Sequence, residues 1–200
     1  MTQLSQSVTL EFDNDVALIR IDNPPVNALS HHVRQGLLDG MTQAESSDAT
    51  AIVVICEGRT FIAGADITEF SGPPKPPSLQ EAQDAMENCT KPVIAAVHGT
   101  ALGGGLEVAL CAHYRVGVSE SKYGLPEVKL GLLPGAGGTQ RLPRVTGAAQ
   151  ALQMMTSGDP ITAGDALECG LIDEIVEALE AGAVAFARRA VAEGLPLLRI

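Results

Sequence analysis

Two carboxylates stand out by their surroundings. Glu107 lies in LEVAL, with Leu106 and Val108 beside it, and Glu127 lies in GLPEVKLG. A glycine triplet, Gly103-Gly104-Gly105, comes just before the first of them, so that Glu107 sits three residues past Gly104. The apolar run Val93–Val97 precedes the triplet and reads as a buried strand. A strand, a glycine turn and a helix start expose the first backbone N–H groups of the helix, which have no partner inside it. The helix dipole adds positive potential there, and glycine lets a ligand oxygen approach closely. Such an end can hold a developing oxyanion. Two carboxylates sharing one site push their pKa values apart, which suits one as a base and the other as an acid. Singly, each part has a plainer reading: a sharp turn, a solvated helix glutamate, a helix-start carboxylate. Their combination points to a site.

Upstream, FIAGADI brings a second strand end to Gly64, with the N–H of Ala65 free to face a ligand. On its own Gly64-Ala65-Asp66 also reads as a turn with Asp66 as a helix cap. Taken with ALGGGLEVAL and YGLPEVKLGLLPGAGGTQRLPRVTG, this stretch resembles the enoyl-CoA hydratase/isomerase (crotonase) family, from about Val8 to about Val176. The start IDNPPVNALS and the stretch AHYRVGV are most similar to the N-terminal hydratase/isomerase part of bifunctional β-oxidation enzymes, in which a 3-hydroxyacyl-CoA dehydrogenase follows on the same chain.

The resemblance implies hydration of a trans-2-enoyl-CoA to a 3-hydroxyacyl-CoA. It assigns Glu107 as the base that activates water and Glu127 as the acid that protonates C2. It makes the N–H groups of Ala65 and Gly104 a two-donor oxyanion hole, and it places Ala63, Ala65, Asp66 and Ile67 beside coenzyme A. Losing one such donor typically costs about 2.7–4 kcal/mol of barrier. Both glutamates being present favours hydration over a Δ3-Δ2 isomerase, the alternative within the fold. A catalytically silent acyl-CoA-binding module is the alternative outside enzymology. No cofactor is expected apart from the coenzyme A of the substrate. The expected partners are the acyl-CoA thioester and either further copies of the chain or a fused dehydrogenase domain.

The elements that must position these groups follow in order. Val8–Phe12 and Val16–Ile21 read as a β-hairpin. Ser30 reads as the N-cap of a helix His31–Ala44, whose adjacent histidines read as surface residues. Ala51–Cys56 reads as a buried strand and Ser78–Cys89 as a helix, separated by the proline-rich loop Ser71–Pro77 at the acyl entrance. Strands are expected at Ala112–Val118, Lys122–Leu125 and Gly170–Val176, and helices at Gly138–Val145, Ala148–Ser157, Ile161–Leu167 and Glu177–Glu193. Gly131–Thr139 is a second glycine loop that lacks both the lysine of a Walker A loop and the last glycine of G-x-G-x-x-G. The alternation predicts an α/β fold in one domain over residues 1–200. The resemblance adds a crotonase-like spiral of repeated ββα units. Beside that family the chain stops early, at Gly194–Ile200, so the C-terminal helical region is expected to be absent or truncated and the family's trimer is placed in doubt.

The 200 residues carry a formal charge of −11, which disfavours a nucleic-acid role. Aromatics are 3% and Trp is absent, so stacking platforms for single strands are not expected. The four cysteines form no CxxC pair and no metal motif is present, which suggests buried free thiols in a reducing, cytoplasmic or peroxisome-like compartment. The N-terminus has no apolar signal region, and no stretch is long enough to span a membrane.

Overall fold

In the computed structural model, residues 1–66, 68–69, 72–73 and 75–200 are described. Strands β1 (Thr2–Gln3), β2 (Val8–Asp13) and β3 (Val16–Ile21) form an antiparallel meander. Helix α1 (His31–Glu45) follows, capped by the Ser30 side chain accepting from the Val33 amide. Strand β4 (Ala51–Cys56) then pairs parallel to β3, with Val16 opposite Ala51 and Ile21 opposite Cys56. Helix α2 (Leu79–Glu87) opens with a capping box between Ser78 and Glu81. Strand β5 (Val93–Val97) pairs parallel to β4.

Side-chain alternation explains why these runs are apolar throughout. Ile52, Val54, Cys56, Val93, Ala95 and Val97 face one hydrophobic layer; Ala51, Val53, Ile55, Ile94 and Ala96 face the other. A strand covered on both faces has no polar side to show in its sequence.

After β5 the chain winds. Strand β6 (Thr100–Leu102) leads into α3 (Gly104–Ala109). Strands β7 (Tyr114–Gly117) and β8 (Lys122–Gly124) lead through the short helical turn Pro126–Leu130 into α4 (Gly138–Thr146) and α5 (Ala148–Ser157). Strand β9 (Ile161–Thr162), α6 (Ala163–Glu168), β10 (Glu174–Ile175) and α7 (Leu179–Ala192) complete it.

The large sheet runs β1-β2-β3-β4-β5-β7-β10, and a small one runs β6-β8-β9. Successive turns thus give one strand to each sheet. β4, β5 and β7 are parallel neighbours in the large sheet, while Ile62 bridges Ala101 and β6 pairs parallel to β8. These are the ββα turns of the spiral.

The larger hydrophobic layer holds α1, α2 and the inner turns, with Tyr123 fully buried in it and bonded at 2.8 Å to Ser121 Oγ. The smaller layer lies under α7, where Tyr114 packs against Phe186 with ring centroids 5.3 Å apart and donates to the Pro196 carbonyl.

Three expected strands are shorter than the sequence suggests. Ala112 and His113 are outside the strand expected from Ala112. The Ala112 N–H bonds Ala109 as the end of α3 unwinds, and the Ala112 carbonyl receives the Arg115 guanidinium. The strand expected over Gly170–Val176 is reduced to Glu174–Ile175, because the amides of Leu171 and Ile172 both bond Ala166 O at the end of α6. Extended backbone at Lys122–Leu125 ends at Gly124, whose carbonyl takes the Gly103 N–H. Of the cysteines, Cys56, Cys89 and Cys111 are buried and Cys169 is half-buried; all four are free thiols.

Candidate active site

The chain leaves β4 and β5 at neighbouring carboxyl ends, where open parallel sheets place ligands. From β4 it reaches Phe61–Ala65, and from β5 it reaches Thr100–Gly105. The Ile62–Ala101 bridge and the Leu102 N–H to Ile62 O bond of 3.0 Å tie the two together. Leu29 pairs with Ala65 from the other side, its N–H donating to Gly64 O at 2.9 Å.

Ala65 is exposed and Gly104 is buried. A Cβ added to Gly104 would lie 3.7 Å from the Ala65 nitrogen, so the two backbones are side by side. Gly104 opens α3, where an N–H has no partner within the helix. Among the described residues neither the Ala65 nor the Gly104 amide has an acceptor. The amide of Ala63, by contrast, is spent on Val26 O at 3.1 Å.

Gly103 turns the chain into α3 with φ +53° and ψ −126°, a conformation that needs glycine. A Cβ there would also stand 3.1 Å from Glu127 Oε1. Glu127 thus reaches the glycine turn from the helical turn after β8. Burial pushes its carboxyl above the usual range, and the neighbouring Glu107 charge adds to this. Its Oε2 is buried without a hydrogen-bond partner among the described residues.

Glu107 is 3% exposed, one turn into α3. Its Oε1 accepts the Ala136 N–H at 2.8 Å and the Gly138 N–H at 2.9 Å. Both donors belong to the second glycine loop and the start of α4. Gly138 is close-packed for this purpose, since a Cβ would meet Glu107 Oε1 at 3.0 Å and Cγ at 3.1 Å. These two amides were not foreseen in the sequence. The loop's glycines were the signal, and their use is to hold a side-chain carboxylate.

A cavity of about 770 Å³ opens beside Ala65 and Asp66, with Arg34 and Lys75 in its wall. It does not extend to either glutamate. Arg34 is engaged, pairing with Glu69 at 2.8 Å. The Asp66 carboxylate caps its own turn, accepting from the Thr68 N–H at 3.0 Å and hydroxyl at 2.7 Å. Ile67, and Ser71 and Pro74 of the proline-rich loop, lie outside the described residues; Gly72, Pro73 and Lys75 of that loop line the cavity. Among the described residues no group of His, Cys, Asp and Glu is arranged to hold a metal ion, and no helix is long and apolar enough to cross a membrane.

Comparison with known proteins places this geometry. The enoyl-CoA hydratase/isomerase family model matches residues 11–196. A peroxisomal bifunctional enzyme of Danio rerio is 50% identical over 163 residues, covering 81% of this chain and 23% of that one. A probable enoyl-CoA hydratase of Bacillus subtilis is 41% identical over 198 residues, covering 92% of this chain and 77% of that one. The chain therefore spans less than a quarter of the Danio rerio enzyme and about three quarters of the bacterial one. A crystal structure of enoyl-CoA hydratase from Bacillus anthracis superposes with a TM-score of 0.86 at 32% identity, covering 94% of this chain and 77% of that one. The glycine turns, the two glutamates and the spiral that joins them are carried on a chain that belongs to the enoyl-CoA hydratase/isomerase family.

Proposed function

We propose that this chain hydrates trans-2-enoyl-CoA thioesters to 3-hydroxyacyl-CoA, as the hydratase part of fatty acid β-oxidation. The observation that carries the reading is the pair of unlike carboxylates at one glycine turn. Glu107 is anchored on two amides, while Glu127 is unpartnered at Oε2 and pushed toward its protonated form.

The thioester oxygen is assigned to the free amides of Ala65 and Gly104. Negative charge moves onto that oxygen as water attacks C3, and the two donors are already in place to receive it. Oε1 of Glu107 is occupied by amides, which leaves Oε2 to take a proton from the water as its oxygen bonds to C3. The C2=C3 electron pair moves toward C2 and the thioester oxygen. Glu127 then gives its proton to C2. Glu107 ends protonated and Glu127 ionised, and one proton exchanged through product-side water restores both. The coenzyme A moiety is assigned to the cavity at Ala65 and Asp66, where the Lys75 ammonium supplies local positive charge to an acidic protein.

One domain over residues 1–200 is the unit proposed for this reaction, and the bifunctional relatives suggest a dehydrogenase as its partner in sequence. Double-bond migration in a 3-enoyl-CoA is the second reading. The unpartnered Oε2 of Glu127 beside Gly103 favours it, since one ionised carboxylate can take a proton from C2 and return it to C4.

Crotonyl-CoA hydration tests the first reading. The parent is expected to turn over, and Glu107→Gln and Glu127→Gln are each expected to lower kcat by about 10²–10⁴-fold. A folded parent that binds coenzyme A without hydrating the substrate would sink it. Turnover of a 3-enoyl substrate alone would put the isomerase reading in its place.

A further inference from the structure

Among the described residues, side-chain donors fix at one point the glycine loop that holds Glu107. Residues 131–133 and 135 are exposed, and three glycines, Gly131, Gly135 and Gly137, lie within seven residues. Such a segment loses much conformational freedom when it is fixed. Among the described residues, only two side chains donate to carbonyls of residues 131–137, and both reach Ala136. Gln83 Nε2 lies 2.9 Å from Ala136 O and Arg141 Nη1 lies 3.3 Å from it. On its amide side the same residue donates to Glu107 Oε1.

Both anchors trace back to one helix face. Gln83 and Glu87 stand four residues apart on α2, and Glu87 Oε2 pairs with Arg141 Nη2 at 2.6 Å. Gln83 is fully buried, yet its Oε1 has no partner among the described residues; neither does Nε of Arg141. A buried amide with half its bonding unmet costs stability relative to an apolar side chain of the same volume. Packing alone does not account for a glutamine there.

We propose that Gln83 is a positioning residue for the reaction: it fixes the Ala136 peptide, with Arg141 as the second anchor, so that the loop amides aim Glu107 at the reacting water. The proposal deepens the reading of Glu107 as the base and rests on it.

The test is Gln83→Met, which keeps the volume and removes the donor, in two measurements. In crotonyl-CoA hydration, kcat is expected to fall by about 10- to 100-fold with KM within about twofold, the pattern of a displaced group rather than a damaged binding site. In amide hydrogen exchange, Ala136 and Gly138 are expected to exchange faster, while Gly103, whose N–H is held by Gly124 O, is unchanged. Gln83→Asn, with its amide drawn back by one methylene, should fall between the parent and Gln83→Met in both.

An unchanged kcat in a parent that does hydrate overturns the role of Gln83 and leaves the proposed function standing. So does a loss of kcat without faster exchange at Ala136. A parent without hydration removes the proposed function, and the exchange measurement still decides whether Gln83 fixes the loop. If neither variant folds, Gln83 is a requirement of the fold and the positioning role falls.

Discussion

Glu127 shows how one residue couples chemistry to stability. Its carboxyl is pushed above the usual value of 4.5, first by burial and then by Glu107. The native state therefore keeps this proton at pH values where the unfolded chain has lost it. Stability falls as pH rises from the unfolded value through the native one, and the penalty stays constant above that. Glu127→Gln is expected to raise Tm at neutral pH, with the gain vanishing by about pH 3, where the parent carboxyl is neutral in both states. Thermal melts across that range check it, and an equal gain at every pH would show that charge burial is not the cause. At this scale the glutamates were legible, because a charge among Leu106, Val108 and Leu110 is conspicuous. The amides of Ala136 and Gly138 on Glu107 were not, because every residue but proline carries an N–H and its direction is set by the fold.

Among the elements, α3 matters most, since it presents Gly104 and Glu107 together. Its closeness to the Phe61–Ile62 segment depends on Gly105, where a Cβ would stand 2.0 Å from the Ile62 carbonyl oxygen. Backbone cannot swing aside as a flexible side chain does. Gly105→Ala is expected to destabilise the chain by about 1–3 kcal/mol or more in urea unfolding. It should also part the Ala65 and Gly104 amides and lower kcat. Unfolding within about 0.5 kcal/mol of the parent would mean that α3 has room to move. The long strands could be read because burial on both faces makes them continuous apolar runs. The three-residue β6 and the two-residue β9 could not. Too few residues fall within them to show any period, and their pairing partners are distant in sequence.

For the whole molecule, the last turn of the spiral is tied down by Arg115. It is 2% exposed, and it donates to Leu171 O at 2.7 Å and Ala112 O at 2.8 Å, with the Asp173 carboxylate 3.8 Å away. Arg115→Met strands these acceptors and is expected to cost about 3–5 kcal/mol in chemical denaturation. A loss under about 1 kcal/mol would mean that the carbonyls find other donors. The alternation of strands and helices made the α/β class legible. The spiral was legible only through family resemblance, because the order of strands in the two sheets depends on contacts between successive turns that no local pattern records.

The two hydrophobic layers have a consequence for spectroscopy. The chain has two tyrosines and no tryptophan, and each tyrosine lies in a different layer: Tyr123 in the larger and Tyr114 under α7. No indole is present to drain their excitation. Each face of the large sheet therefore carries one intrinsic fluorophore of its own, and single Tyr→Phe versions of the chain would report the melting of one face at a time.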